Sequence, residues 1–300
     1  MQVDGTLQLR DTLGKGGMGC VFRANHTLLG REVAVKVLSE SALCPEACAR
    51  LLREARLTAR VESPYVVRVL DCRAPKGASP YIVMEKVCGA DLSLRIRNNG
   101  KLPLSEVRTL VRQLSSALEA VHAAGVVHAD VKPENVILDE DCSGTLRVKL
   151  IDFGVARSAD EAPLYSDGFP AGTPSAMSPE QILEPRVAHP SWDAWGLAVL
   201  IYTALTGHVP YDGETLASVL YAASRGDRQS VCGFRDDVSP EVDRVFARAL
   251  ARSPGERYPS LAAFARALEA ALDIGIDKSQ QTGDTVLPLL RRKLREPLAA

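Results

Sequence analysis

Three hundred residues suffice for one large domain or two small ones, and an apolar share of 46% is ordinary for a globular chain. With 36 Lys+Arg against 37 Asp+Glu, the formal net charge of -1 argues against a chain built to coat nucleic acid or an acidic membrane surface. The N-terminus (MQVDGTLQLRD) lacks the pattern of a secretory leader, and the longest apolar run, 194–205, is too short to span a bilayer. Seven cysteines without a CxxC pair fit free thiols in a reducing compartment, so a cytoplasmic location is expected. Cys44 and Cys48 read as i,i+4 neighbours rather than metal ligands.

In chain order, residues 6–14 and 20–25 read as strands flanking a glycine-rich turn, and Arg31–Leu38 (REVAVKVL) as a third strand. A helix is predicted from about 45 to 61, then strands at 66–71 and 81–84, with a hinge near 87–90 (VCGA). Beyond the hinge, Val107, Leu110, Val111, Leu114, Ala117, Leu118 and Val121 fall at helical spacing, and Gly125 stands where a C-terminal cap belongs. Further helices are predicted near 192–206, 240–252 and 260–272. From about Ile274 the patterning fades and a basic cluster appears, Arg291, Arg292, Lys293 and Arg295. That tail reads either as a solvated end or as a short amphipathic helix. The coarse expectation is an α+β body in two lobes, mainly strands first and helices second.

Leu13 precedes a GxGxxGxV run with glycines at Gly14, Gly16 and Gly19 and a valine at Val21. Glycines let backbone approach phosphate oxygens, although a ligand-free hairpin turn would use them too. A dinucleotide-binding loop would need a helix next; residues 20–23 read as strand instead. Lys36, inside an apolar strand, is either a solvated edge residue or a phosphate ligand held by a carboxylate, for which Glu54 is the candidate. The densest segment is 127–138, with Asp130, Lys132 and Asn135 in a short loop before an apolar strand, followed by Ile151-Asp152-Phe153-Gly154. Phosphoryl transfer needs a metal-holding carboxylate, a second metal ligand and a group orienting the hydroxyl; Asp152, Asn135 and Asp130 are those three types.

On these motifs the chain resembles the eukaryotic-like (Hanks-type) protein kinase superfamily, in the manner of bacterial serine/threonine protein kinases, over about residues 6–273. The resemblance implies a two-lobed kinase fold: N-lobe 1–87, C-lobe 88–273 and a weakly structured tail 274–300. It implies transfer of the γ-phosphoryl group of ATP, with Mg²⁺ or Mn²⁺, to protein substrates. Lys36, paired to Glu54, would grip the α/β-phosphates beneath the Leu13–Val21 loop. Val21, Ala34 and Ile137 would sandwich adenine, Met84 would be the gatekeeper, the main chain of Glu85 and Val87 would bind the base, and Asp91 would contact ribose. Asp130 would be the catalytic base, Lys132 a stabiliser of the transferring phosphate with Thr173 beside it, and Asn135 and Asp152 the metal ligands. Asp193 would brace the catalytic loop, and Glu180 would pair with Arg257. Lys132 points to Ser/Thr as acceptor. A homodimer through the N-lobe would follow some bacterial relatives; no nucleic-acid partner is implied.

Three positions depart from the family pattern. The usual HRD is His128-Ala129-Asp130, so the arginine that commonly holds a phosphorylated activation-loop residue is missing. Residues 155–170 contain no threonine, only Ser158, Tyr165 and Ser166 as hydroxyls. Activity that does not depend strongly on loop phosphorylation is therefore expected, unless another base such as Arg157 supplies the clamp. Ser178 replaces the alanine of the usual APE, with little effect expected, and Cys20 beside the glycine loop is either inert or oxidisable. The competing readings are an ATP-binding pseudokinase without turnover, and a small-molecule kinase, which generally lacks the 172–180 segment.

Overall fold

The structure is a computed structural model that describes residues 2–3, 5–16, 19–39, 42–75, 78–140, 144–158, 161, 165–166, 169–170, 172–213 and 215–274. Gly17 and Met18 of the glycine loop, much of the 155–170 segment and the tail beyond Ile274 with its basic cluster lie outside these residues.

Alternation builds the first sheet. Strands β1 (Gln2–Val3), β2 (Leu7–Gly16), β3 (Gly19–His26), β4 (Arg31–Leu38), β5 (Val69–Arg73) and β6 (Tyr81–Glu85) form one antiparallel sheet in the order β1-β2-β3-β4-β6-β5. On β4 the odd positions Val33 and Val35 are fully buried and join Leu7, Ala24, Tyr81 and Val83 in one apolar cluster. The even positions face the opposite way; there Leu38 packs with Ile82 against Leu51 and Ala55 of helix α1 (Pro45–Ala59). Lys36 shares that parity, so the strand aims it at α1 rather than at solvent.

Helix α1 begins where Cys44 caps it, its Sγ accepting the Ala47 N–H (3.4 Å), with Pro45 in the first turn. Cys44 and Cys48 are i,i+4 neighbours joined through the backbone, and all six described cysteines are free. The strand expected from Val66 starts only at Val69. Residues 65–67 instead bond across to Leu150: Val67 N–H donates to its carbonyl (2.9 Å) and Leu150 N–H donates to Tyr65 O (2.8 Å).

The second half is helical. Helix α2 (Leu92–Asn99) precedes α3 (Leu104–Ala123), whose stripe of Val107, Leu110, Val111, Leu114, Ala117, Leu118 and Val121 is fully buried, with Gly125 at φ 71° just past its end. Two short strands follow, β8 (Val126–Val127) and β9 (Val136–Glu140); β9 pairs on one side with β10 (Leu146–Leu150) and on the other with β7 (Ala90–Asp91). Strand β11 (Arg157–Ser158) pairs with β8, and β12 (Tyr165–Ser166) with β13 (Phe169–Pro170). After α4 (Pro179–Leu183), α5 (Pro190–Thr206) carries the long apolar run and is buried almost all round, closed by Gly207 at φ 81°. Helices α6 (Leu216–Arg225), α7 (Pro240–Ala249) and a last helix over 261–274 complete the lobe. Alternation and helical spacing foreshadow β4, α3 and α5; α2, at 8 residues, carries too few turns to stand out, and α6 is not foreshadowed although α7, of the same length, is. Among the described residues no helix is long and apolar enough to cross a membrane.

Candidate active site

The Lys36 ammonium is 2.6 Å from Glu54 Oε1 and 2.9 Å from Asp152 Oδ1. Burial works against its charge, but the two carboxylates outweigh that and raise its pKa. Burial likewise pushes the Asp152 carboxyl up, yet Lys36 and the Gly154 N–H hold it below the usual carboxylate range. Burial raises Glu54 against the pull of Lys36. Asp152 adopts φ 61°, a conformation disfavoured for any side chain other than glycine's hydrogen, and its contact with Lys36 helps to hold it there.

The catalytic-loop candidates form a second network. Asp130 Oδ2 lies 2.7 Å from Lys132 Nζ, and its Oδ1 accepts the Thr173 N–H (3.0 Å). Lys132 Nζ also donates to Thr173 Oγ1 (2.7 Å). Asn135 Nδ2 donates to the Asp130 carbonyl (2.9 Å) and to Oδ2 (3.2 Å). Asp193, fully buried on α5, holds this loop from beneath: it accepts the N–H groups of His128 (2.9 Å) and Ala129 (2.8 Å), with His122 Nε2 at 2.8 Å. Those bonds, led by His122, bring the Asp193 carboxyl below its ordinary range although burial pushes the other way. His128 Nδ1 accepts the Asp130 N–H (3.3 Å) while Nε2 meets the Ile151 carbonyl (3.2 Å), and its ring packs edge-on against Phe153 at 4.8 Å. One imidazole thus ties the segment carrying Asp130 to that carrying Asp152.

The donor set suits a hard divalent cation. The Asn135 Nδ2 is engaged by Asp130, so its amide oxygen is the candidate cation donor, while Asp152 keeps Oδ2 beside the Oδ1 that Lys36 and Gly154 engage. Oxygen donors of these two kinds match Mg²⁺ or Mn²⁺ chemistry. Backbone register brings them together: Val136 pairs with Leu150, and Ile151 N–H donates to the Asn135 carbonyl (2.9 Å), one residue before Asp152.

The residues expected around a nucleotide stand in register across the strands. Val21 pairs with Gly14 and Lys36, Ala34 with Met84, and Ile137 with Asp91. Leu13 is half exposed at 49%, and Val87 is half-buried at the hinge. A Cβ on Gly14 or Gly16 would meet nothing within 4 Å, leaving room above β2 and β3, whereas one on Gly19 would sit 2.0 Å from the Val37 carbonyl. Gly19 is therefore required by close strand packing. Glu85 donates its N–H to Arg68 O (2.9 Å) and binds Lys149 through its carboxylate (2.5 Å), so its N–H is already engaged and not the group a base would meet. Asp91 caps α2, its Oδ1 accepting the Leu94 N–H (2.7 Å).

Farther out, Arg257 forms a two-pronged pair with Glu180 (both 2.7 Å) and lies over the Trp195 ring at 4.9 Å. Ser178, expected to matter little, caps α4 by accepting the Gln181 N–H (3.2 Å). The Arg157 guanidinium, 3% exposed, donates to the carbonyls of Pro185 (2.6 Å), Glu161 (2.6 Å) and Arg186 (2.9 Å). It is committed to backbone. Sequence reasoning missed Gly89, which must be glycine at the hinge because its φ is 100° and a Cβ there would sit 1.9 Å from the Leu138 carbonyl, although it stood in the VCGA break. It also missed Gln181, whose Nε2 donates to the Ala129 carbonyl (2.8 Å), and the pairing of Arg53 with Glu161; neither leaves a local signal.

Comparison with known proteins agrees with this geometry. The family model described as "Protein kinase domain" matches residues 7–268. The chain is 37% identical over 270 residues to the serine/threonine-protein kinase Pkn1 of Myxococcus xanthus, covering 89% of this chain and 38% of that protein. It is 33% identical over 298 residues to pkn3 of the same organism (95% and 54%), and 35% identical over 269 residues to PknL of Mycobacterium tuberculosis (89% and 66%). The chain thus spans between 38% and 66% of the length of these relatives. With the two-lobed α+β architecture and a family match over most of its length, the chain belongs to the protein kinase domain family.

Proposed function

We propose that this chain is a serine/threonine protein kinase that transfers the γ-phosphoryl group of ATP to a protein hydroxyl. The observation that carries the reading is the convergence of two networks, Glu54–Lys36–Asp152 and Thr173–Lys132–Asp130–Asn135, tied through His128. Lys36 would hold the α/β-phosphates, and Val21, Ala34, Met84 and Ile137 would enclose the base against Glu85 and Val87. The hydroxyl oxygen attacks the γ-phosphorus, the bond to the β–γ bridging oxygen breaks, ADP leaves and the hydroxyl proton passes to Asp130. Lys132 stands where it would neutralise charge on the transferring group, and Thr173 fixes its position. Asn135 and Asp152 would hold the divalent cation, Mg²⁺ in preference to Mn²⁺, which would supply positive charge to offset that of the phosphates.

The reading extends to protein substrates, an N-lobe of 1–87 and a C-lobe of 88–273, a homodimer through the N-lobe and a cytoplasmic location, the last supported by the free cysteines. The test is the purified chain with γ-labelled ATP and either cation, beside Lys36→Met and Asp130→Asn. Label on Ser or Thr is expected, with each variant reduced at least about a hundredfold. Label on Tyr alone overturns the acceptor class. Tight nucleotide binding without transfer to any protein favours the scaffold reading instead.

A further inference from the structure

We propose that Arg53 and Glu161 form a phosphate-independent clasp that positions Glu54 for Lys36 and makes the active arrangement intrinsic to the unmodified chain. The inference rests on the kinase reading above. Arg53 and Glu54 are consecutive on α1, so they leave the helix about 100° apart. Glu54 turns inward to Lys36, and Arg53 turns toward the segment after the Asp152 motif. There its guanidinium meets Glu161 in a two-pronged pair, Nε donating to Oε1 (3.0 Å) and Nη2 to Oε2. Such a fork is the strong form of a charge-assisted contact.

Glu161 is itself held on every side. Its Oε2 also accepts the Ser158 N–H (2.9 Å), its own N–H donates to the Ser158 carbonyl (3.1 Å), and its carbonyl accepts Arg157 Nη2 (2.6 Å). Arg157 carries the connection onward to the carbonyls of Pro185 and Arg186 and over the Trp192 ring at 5.7 Å. It also pairs through β11 with Val127, adjoining the His128-Ala129-Asp130 loop. The path therefore runs from α1 of the first lobe to the floor of the second without an added phosphate. Arg53 lowers the Glu161 carboxyl below its ordinary range, which keeps the acidic partner charged. The pair is only 21% and 31% exposed, so solvent screens it incompletely. Beside the clasp, α1 packs through Leu51, Ala55 and Leu57, and the clasp adds a directional polar contact at the residue next to Glu54.

Arg53 and Glu161 are thus positioning residues, and their test separates position from stability. Glu161→Gln and Arg53→Gln should each lower kcat about tenfold and speed amide exchange along α1, with unfolding midpoints shifted by under about 3 °C. The charge-reversed double variant, Arg53→Glu with Glu161→Arg, should recover kcat to within about threefold of wild type. Ser158→Ala with Ser166→Ala should lose less than about tenfold. Single variants within about twofold of wild type in kcat and α1 exchange, or singles that fall without rescue, overturn the clasp. A larger loss in the serine double variant overturns its independence from phosphate. An inactive wild type would instead defeat the kinase reading, and α1 exchange would still report on the clasp.

Discussion

Ala129 adopts φ 64° although it carries a Cβ, a conformation that disfavours a non-glycine residue by roughly 1 kcal/mol or more. Two contacts fix it: its N–H donates to Asp193 Oδ1 and its carbonyl accepts from Gln181. Its methyl group packs with Val127, Ala188 and Trp192, so the place of a phosphate-binding arginine is taken by a small apolar contact. Asp193 was legible because carboxylates in this pattern brace catalytic loops in the resembled family; Gln181 was not, since a lone glutamine carries no periodic or spacing signal. Asp193→Asn should be severe for a steric near-match. Its amide nitrogen would confront the N–H of either His128 or Ala129, leaving a buried donor unmatched. A loss of about 3 kcal/mol in urea unfolding is expected, along with a marked fall in kcat through Asp130, which follows directly in the chain.

The same reasoning at the scale of elements turns on α4, five residues that could not persist alone. Ser178 caps it, and Glu180 in its first turn anchors it to Arg257 and, through Ser191 (2.9 Å), to the start of α5. Burial pushes the Glu180 carboxyl up, but Arg257 outweighs it and holds the carboxyl below the usual carboxylate range. A carboxyl depressed in the folded state contributes stability fully above its unfolded pKa and loses it as pH falls through the folded value. Wild-type stability should therefore decline as pH falls through the carboxylate range and below it, with Glu180 among the contributors. Glu180→Gln should show a shallower decline over that acid range and a loss of about 3 kcal/mol at neutral pH. Equal slopes in parallel denaturant titrations would remove Glu180 from the acid response. What the family resemblance implied here was the pairing of distant charges; the cap was underestimated, because an alanine-sized difference looks minor until its oxygen has a backbone donor to accept.

Across the whole molecule, order of motifs along the chain revealed both lobes, while their joining depended on contacts with no sequence periodicity. Residues 65–67 hydrogen-bond to Leu150, His128 links the two catalytic segments, and Lys36 reaches from the first sheet to Asp152. Each contact is between residues far apart in the chain, which a local pattern cannot encode. A nucleotide seated between Lys36 and the Asn135–Asp152 donors would engage both lobes at once. Any ligand that binds only the folded state stabilises it, by about 2.7 kcal/mol at a hundredfold excess over Kd. For a body of this size that converts to a rise in Tm of roughly 5–10 °C. ATP with Mg²⁺ should produce such a rise in wild type, and a chelator should remove most of it, because the phosphates would then face Asp152 uncompensated. Asp152→Asn should bind ATP with little dependence on the cation, since the replacement lacks the charge that recruits it. Lys36→Met should lose much of the shift with the cation still present, because the carboxylates of Glu54 and Asp152 would then repel the phosphates without an intervening positive charge. A shift in wild type that is indifferent to chelation would mean that Asn135 and Asp152 do not hold a metal, and would move the nucleotide's phosphates onto the glycine loop and Lys36 alone.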